Sequence, residues 1–150
     1  AQYAVRVESP TATTTYDVTA TVSSGKLSIR QTSGSTLYTP ATKVYVYSPV
    51  ITEINLGKNG ILYTHGNFNN LDVSLKGAGR MVLQGTVQTL NIFSTGSGEV
   101  DALSMPAIDV VVNAKGGGDT KVNAASTLNV DLKGSSNVYY TGNPSITSNI

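Results

Sequence analysis

The 150-residue sequence predicts an all-β protein folded as a parallel β-helix, or solenoid, with coils of about 19 residues. Apolar and polar residues alternate along most of the chain, and no segment sustains the i, i+3, i+4, i+7 spacing of an amphipathic helix. A unit of this length cannot bury its own apolar face, so its copies must stack. A short strand motif recurs at spacings of 19, 18 and 20 residues, at Leu71-Asp72-Val73, Leu90-Asn91-Ile92, Ile108-Asp109-Val110 and Leu128-Asn129-Val130.

The first third of the sequence predicts irregular strands or a cap (residues 1–49), followed by repeating coils (50–150) within a single domain, 1–150. Residues 16–22 and 26–30 alternate on either side of Ser23-Ser24-Gly25, which indicates a hairpin-like pair of strands. A further strand over residues 43–47 ends before Pro49, because proline cannot donate to a strand ladder.

Glycine-centred turns punctuate the coils. Glycine suits a corner where φ is positive or where two backbones approach closely. The fourth turn lacks the second glycine of the others. A β-sandwich is the alternative fold, although it predicts hairpins rather than a stable period. The turns are Gly77-Ala78-Gly79, Gly96-Ser97-Gly98, Gly116-Gly117-Gly118 and Gly134-Ser135-Ser136.

Stacking the strand motifs predicts an outward ladder in which amides and carboxylates alternate. Such a ladder avoids placing two like charges opposite each other in neighbouring coils. Its predicted members are Asn55, Asp72, Asn91, Asp109 and Asn129.

The composition argues against several kinds of partner. Charged residues make up 13% of the chain, about half the usual share, and the net charge is +1 with ten scattered basic residues. We therefore expect no nucleic-acid partner. No apolar run approaches the roughly 20 residues of a membrane-spanning helix. The polar composition and the absence of a starting methionine predict export, to the cell exterior or surface, with attachment at the outer membrane or in the periplasm through a removed N-terminal segment as one route.

The residues that follow each turn provide the best candidate for paired acids. Stacked coils would bring Glu99 close to Asp119, nearer than the roughly 6.5 to 9.5 Å of an inverting glycosidase pair. Such a spacing suits only a closer catalytic pair or a cation site, and the alternative is that Arg80 and solvent neutralise an exposed ladder of acids. The full column is Arg80, Glu99, Asp119 and Asn137.

Other chemistry is sparse. His65 is the single histidine and there is no cysteine, so we expect no metal site, no cofactor and no catalytic residue. The surrounding sequence places His65 in a turn-like setting. The prediction is therefore a protein that is not an enzyme.

Tyrosines supply the best candidates for contact with a partner. Tyr45 and Tyr47 share one strand face, and alternation directs Tyr139 outward and Tyr140 inward. A separate outward column is predicted to keep one face soluble or to hold an anionic glycan, and it consists of Lys76, Thr95, Lys115 and Lys133.

Three stretches resemble the putative auto-transporter adhesin head GIN domain family. They are Gly25-Lys26-Leu27-Ser28-Ile29 with residues 44–54, the Gly-x-Gly turns at Gly77 and Gly96, and residues 137–144. The resemblance implies a right-handed β-helix on a bacterial surface and a role in adhesion.

Three hypotheses of function follow. The first is an exported adhesin that binds a glycan or a surface protein through one face of the β-helix, with Tyr139, Tyr45, Tyr47, Glu99 and Asp119 as candidate contacts. The second is a scaffold that self-associates into homo-oligomers through its coil ends. The third is a polysaccharide-acting enzyme that uses Glu99 and Asp119.

Overall fold

The structure is a computed structural model, and it describes residues 4–8, 18–23, 26–31, 43–48 and 50–150. The chain divides into two compact units, Ala1–Pro49 and Val50–Ile150. Among the described residues, no helix is long and apolar enough to cross a membrane. The single domain over residues 1–150 stays a prediction.

The first unit contains two antiparallel pairs of strands. Strand β1 (Ala4–Glu8) pairs with β4 (Lys43–Tyr47), and β2 (Val18–Ser23) pairs with β3 (Lys26–Gln31). The predicted hairpin-like pair and the strand before Pro49 are therefore confirmed. Residues 16, 17, 24 and 25 of the predicted hairpin lie outside the described residues.

The second unit is a parallel β-solenoid of about five turns. Every strand pair in it is parallel, which confirms the β-helix and makes the β-sandwich alternative wrong. Its strands are β5 (Glu53–Lys58), β6 (Ile61–Gly77), β7 (Arg80–Gly96), β8 (Glu99–Gly116), β9 (Asp119–Gly134), β10 (Asn137–Thr141) and β11 (Ser145–Asn149).

The first residues of neighbouring coils are paired with one another. The differences between their numbers give coil lengths of 19, 19, 20 and 18 residues. The paired first residues are Ile61, Arg80, Glu99, Asp119 and Asn137. The differences in length all fall in one part of the coil. The pairing shifts between Val82 and Val87 of β7, and between Ala102 and Asp109 of β8. We call this part of each coil the variable corner.

The predicted ladder of amides and carboxylates has the wrong register. Asp72 and Asn91 do stack, but Asn91 pairs with Val111, and Asp109 pairs with Thr89 and Thr127. The extra residue of the third coil precedes Ile108 and moves the whole motif. The strand motif of that coil is therefore Val110-Val111-Val112.

The start of the ladder is also different from the prediction. Asn55 pairs with Ser74, and Glu53 pairs with Asp72, so two carboxylates do stand in neighbouring coils. Each carboxylate accepts a hydrogen bond from an amide. Asn55 Nδ2 donates to Glu53 Oε1 at 2.6 Å, and Asn91 Nδ2 donates to Asp72 Oδ1 at 2.7 Å.

Inward side chains form apolar columns along the solenoid axis. One column runs through Leu71, Leu90, Val110 and Leu128, which are all buried, and ends at Ile146, which is 46% exposed. Burying one such side chain stabilises the fold by about 1.5 to 3 kcal/mol. The coils are held together mainly by these columns and by the strand ladders.

The first glycines of the turns stack in one column, and their positive φ confirms the predicted role of glycine at the corners. Gly77, Gly96, Gly116 and Gly134 pair in sequence, and all four have positive φ between 98° and 132°. A Cβ atom on Gly96 would collide with the backbone oxygen of Gly77. The turns therefore require glycine because of both the backbone conformation and the close approach of the next coil.

Candidate functional site

The outward side chains at the start of each coil form one continuous surface. Side chains alternate across a strand, so every second residue of this segment faces away from the core. We call this surface the lateral face. It contains the column Ile61, Arg80, Glu99, Asp119 and Asn137, and the column Tyr63, Val82, Asp101, Lys121 and Tyr139.

A network of ion pairs occupies the middle of the lateral face. Glu99 lies between two cations, with Oε2 at 3.2 Å from Arg80 Nε and Oε1 at 2.7 Å from Lys121 Nζ. Arg80 also approaches Asp101, at 3.8 Å from Nη2 to Oδ2. The predicted stack of Arg80 on Glu99 is confirmed, together with the neutralisation of Glu99.

Asp119, the second predicted acid, is in the neighbouring coil. Its Oδ1 accepts a hydrogen bond of 2.9 Å from Asn137 Nδ2. The structure thus places Glu99 and Asp119 next to each other, as paired residues of parallel strands, but gives them different partners. Among the described residues, no group of three or more His, Cys, Asp or Glu could hold a metal ion.

The charge on Lys121 is stabilised by its neighbours. The hydrogen bond to Glu99 and the attraction of the same carboxylate raise the pKa of Lys121 above its usual value of 10.5. Desolvation and the positive charge of Arg80 oppose this shift, whereas Asp101 adds to it. The amine is therefore protonated throughout the neutral range.

Two tyrosines stand at opposite ends of the lateral face. Tyr63 is 73% exposed and Tyr139 is 51% exposed. Four coil steps separate them, which is about 19 Å at the spacing of neighbouring strands. The outward direction of Tyr139 is confirmed. Tyr63 was missed as a candidate, although its spacing from the following coils places it in the same column.

The family model for the putative auto-transporter adhesin, head GIN domain, matches residues 2–144 of this chain. The chain belongs to this family. Neither the curated proteins nor the solved structures gave a match. The family description is that of an adhesin, and an adhesin is a cell-surface protein.

The last coil of this head GIN domain exposes residues that alternation directs inward. Tyr140 pairs with the buried Val122 and so continues an inward column. It is nevertheless 49% exposed, because no coil among the described residues covers it. The sequence correctly predicts its direction, but its exposure results from its position at the end of the solenoid.

Tyr45 and Tyr47 belong to the first unit of the head GIN domain, on β4. They are 37% and 55% exposed, and they occupy alternate positions of one strand. The Cζ atom of Arg6, on the paired strand, lies 5.8 Å from the centroid of the Tyr45 ring. This distance permits a cation–π interaction. Their role as contacts stays a prediction.

His65 and the lysine column complete the predicted positions in the head GIN domain. His65 is exposed, but it lies within strand β6, so the predicted turn is wrong. Lys76, Thr95, Lys115 and Lys133 do pair in sequence and are exposed, which confirms their column.

Proposed function

We propose that this head GIN domain is the adhesive part of an exported bacterial surface protein. In this proposal, the domain binds a glycan or a protein through the lateral face. The observation that carries the proposal is the pair of exposed tyrosines, Tyr63 and Tyr139, at the two ends of a mixed-charge surface.

The chemistry of the lateral face suits recognition. A tyrosine offers a large apolar ring and a hydroxyl group at a small cost in conformational entropy. Ile61, which is 65% exposed, widens the apolar area beside Tyr63. The ion pairs between the tyrosines present both signs of charge, which favours a partner with complementary polar groups. The rigid strand ladders hold these groups at fixed spacings.

The partners of the two acids favour binding over catalysis. Both carboxylate oxygens of Glu99 contact cations, and Asp119 accepts a hydrogen bond from an amide. A general acid or base must instead reach the proton of a substrate. We therefore assign Glu99 and Asp119 to the contact surface and not to a catalytic pair.

A display assay tests the proposal. The chain is displayed on a non-adherent bacterium, and attachment to arrays of glycans and of host surface proteins is measured. The double variant Tyr63→Ala/Tyr139→Ala should lose most of the attachment. Phe93→Ala is the matched control, because Phe93 is 47% exposed but pairs with Ser74 and Asn113, outside the lateral face.

Two results would contradict the proposal. The first is the absence of attachment to every array member by the wild-type domain at confirmed surface expression. The second is attachment that the double variant and the Phe93 variant reduce equally. Circular dichroism of the purified variants shows whether each retains the β-structure.

Self-association is the second candidate function. Strands β10 and β11 each pair with β9 on one side, and the other side has no partner strand among the described residues. Tyr140 and Ile146 add about half-exposed apolar side chains to this end. An open parallel edge of this kind is a template for pairing with another chain. This candidate predicts a molecular mass that rises with protein concentration.

A further inference from the structure

A groove lies at the variable corner, away from the two columns of the lateral face. Its volume is about 420 Å³, which is within the range of small-ligand sites. Four successive coils line it, through residues 67–69, 86–88 and 106–108 and Ala125.

Side chains become smaller along one inward column beside the groove. Phe68 pairs with Val87, Val87 with Ala107, and Ala107 with Ala124. Its side chains run from a phenyl ring to a methyl group, and its buried members Val87 and Ala107 line the groove. The shifts of register in the same corner mean that the coils do not stack evenly there.

The lining contains no ionisable side chain. Part of it is apolar and accessible, since Ile108 is 50% exposed and Pro106 is also exposed. The rest consists of carboxamides and a hydroxyl group. Asn67 Oδ1 accepts a hydrogen bond of 2.9 Å from Thr86 Oγ1, which holds these two side chains together.

Two carboxamides of the groove are available to a ligand. Asn69 and Gln88 are exposed and make no side-chain hydrogen bond to another residue in the described part of the chain. Each carboxamide can donate two hydrogen bonds and accept two. This capacity matches vicinal hydroxyl groups, which both donate and accept.

We infer that the groove binds a neutral saccharide. A sugar ring has an apolar C–H face, which would pack on Pro106 and Ile108, and hydroxyl groups, which would meet Asn69 and Gln88. A charged glycan would lose water without gaining an opposite charge, because the lining has none.

An extended peptide fits the groove less well. Peptides that add to a sheet need a free strand edge. Here Val87, in the middle of the lining, already pairs with Phe68 on one side and with Ala107 on the other. Recognition in the groove must therefore come from side chains, which favours a sugar. The inference adds a site to the proposed lateral face and does not depend on it.

Calorimetry and ligand-detected NMR on the purified chain test this inference. The probes are neutral oligosaccharides built from glucose, galactose, mannose or N-acetylglucosamine, and sialylated and sulfated oligosaccharides of similar size. Two variants alter the groove. Asn69→Ala/Gln88→Ala removes the free carboxamides, and Ala125→Arg fills the groove from an exposed position. Asn143→Ala is the control, since Asn143 is exposed and lies outside the groove.

We expect at least one neutral oligosaccharide to bind, and both groove variants to weaken the affinity by about tenfold or more. The Asn143 variant and the Tyr63→Ala/Tyr139→Ala variant should bind that sugar as the wild type does, which separates this site from the lateral face. The inference is wrong if no neutral probe binds, if only acidic probes bind, or if the groove variants keep full affinity. Unchanged circular dichroism shows that a loss of affinity is not a loss of fold.

Discussion

At the scale of single residues, the turn glycines differ in what they require. Gly96 has a φ of 114°, and a Cβ atom there would collide with the backbone of Gly77. Gly117, in the next turn, has no atom within 4 Å of such a Cβ. Its amide donates to the backbone oxygen of Gly96 at 2.9 Å, and alanine retains that amide.

We therefore expect Gly96→Ala to lower the free energy of unfolding by more than about 2 kcal/mol, because strain and a steric clash add. Gly117→Ala should change it by less than about 0.5 kcal/mol. Urea denaturation of the two variants measures the difference. A loss of unfolding free energy in Gly96→Ala as small as that in Gly117→Ala would show that movement of the coil relieves the collision at Gly96.

Thr120 is a polar residue of the fourth coil that stands in an inward column, between Val100 and Val138. Its side chain is fully buried, and its Oγ1 has no hydrogen-bond partner among the residues that the structure describes. A buried hydroxyl group without a partner costs about 1 to 3 kcal/mol. Thr120→Val should therefore raise the free energy of unfolding by about 1 kcal/mol.

Thr127→Val is a control for which we expect the opposite change in the free energy of unfolding. Thr127 Oγ1 donates to Asp109 Oδ1 at 2.6 Å, so its replacement should lower the stability by about 1 kcal/mol. Thermal unfolding of both variants gives the comparison. A loss of stability in Thr120→Val would mean that its hydroxyl group has a favourable contact after all.

At the scale of elements, the ion-pair network joins β7, β8 and β9 across the lateral face. Since the pKa of Lys121 is raised in the folded state, its contribution to stability is fully present below about 10.5 and is lost as the pH rises through the raised value. The difference in unfolding free energy between the wild type and Lys121→Met should shrink over this alkaline range.

Urea denaturation at several pH values above neutral measures that difference. Lys115→Met is the matched control, since Lys115 is exposed and has no ion pair within the described residues. Any pH dependence that Lys121→Met shows beyond this control is assigned to the contacts of Lys121 with Glu99. A constant difference for Lys121→Met would show that Glu99 does not hold the charged amine.

The elements also show what the sequence predicts and what it does not. Stacking from the glycine turns correctly predicts the column that contains Arg80 and Glu99, because the residue after a turn is in a fixed position. Stacking from the strand motifs fails at Ile108, since the local pattern of Ile108-Asp109-Val110 matches the repeat as well as Val110-Val111-Val112 does. Only the contacts between coils decide between the two.

The candidate sites also differ in whether local patterns or contacts between coils determine them. Tyr139 was predicted from alternation alone, which is a local property. To predict that Tyr63 is part of the lateral face, one needs the register across four coils. To predict the groove, one needs the differences in coil length. Neither of these is a property of one segment, so neither could be predicted from local patterns.

At the scale of the whole molecule, the second candidate function assigns self-association to the open end of the solenoid formed by β10 and β11. Light scattering over a wide range of concentration should show a rising mass if β10 and β11 pair between molecules. Ile146→Asp should abolish the rise, because it puts a charge on the open end. Phe93→Asp, at an exposed position of a strand that is paired on both sides, should not.

A constant monomer mass for the wild-type chain would remove this second candidate function. An equal effect of both aspartate variants would show that association occurs through a different surface.

The confinement of length differences to the variable corner determines how this protein can change over evolution. A deletion within a glycine turn would remove the positive φ or the close backbone approach on which the turn depends. The variable corner has already accommodated one added residue in the third coil and two fewer in the fourth. Insertions and deletions are therefore tolerated there first. The same corner lines the groove, so ligand preference can diverge among descendants while the scaffold is preserved.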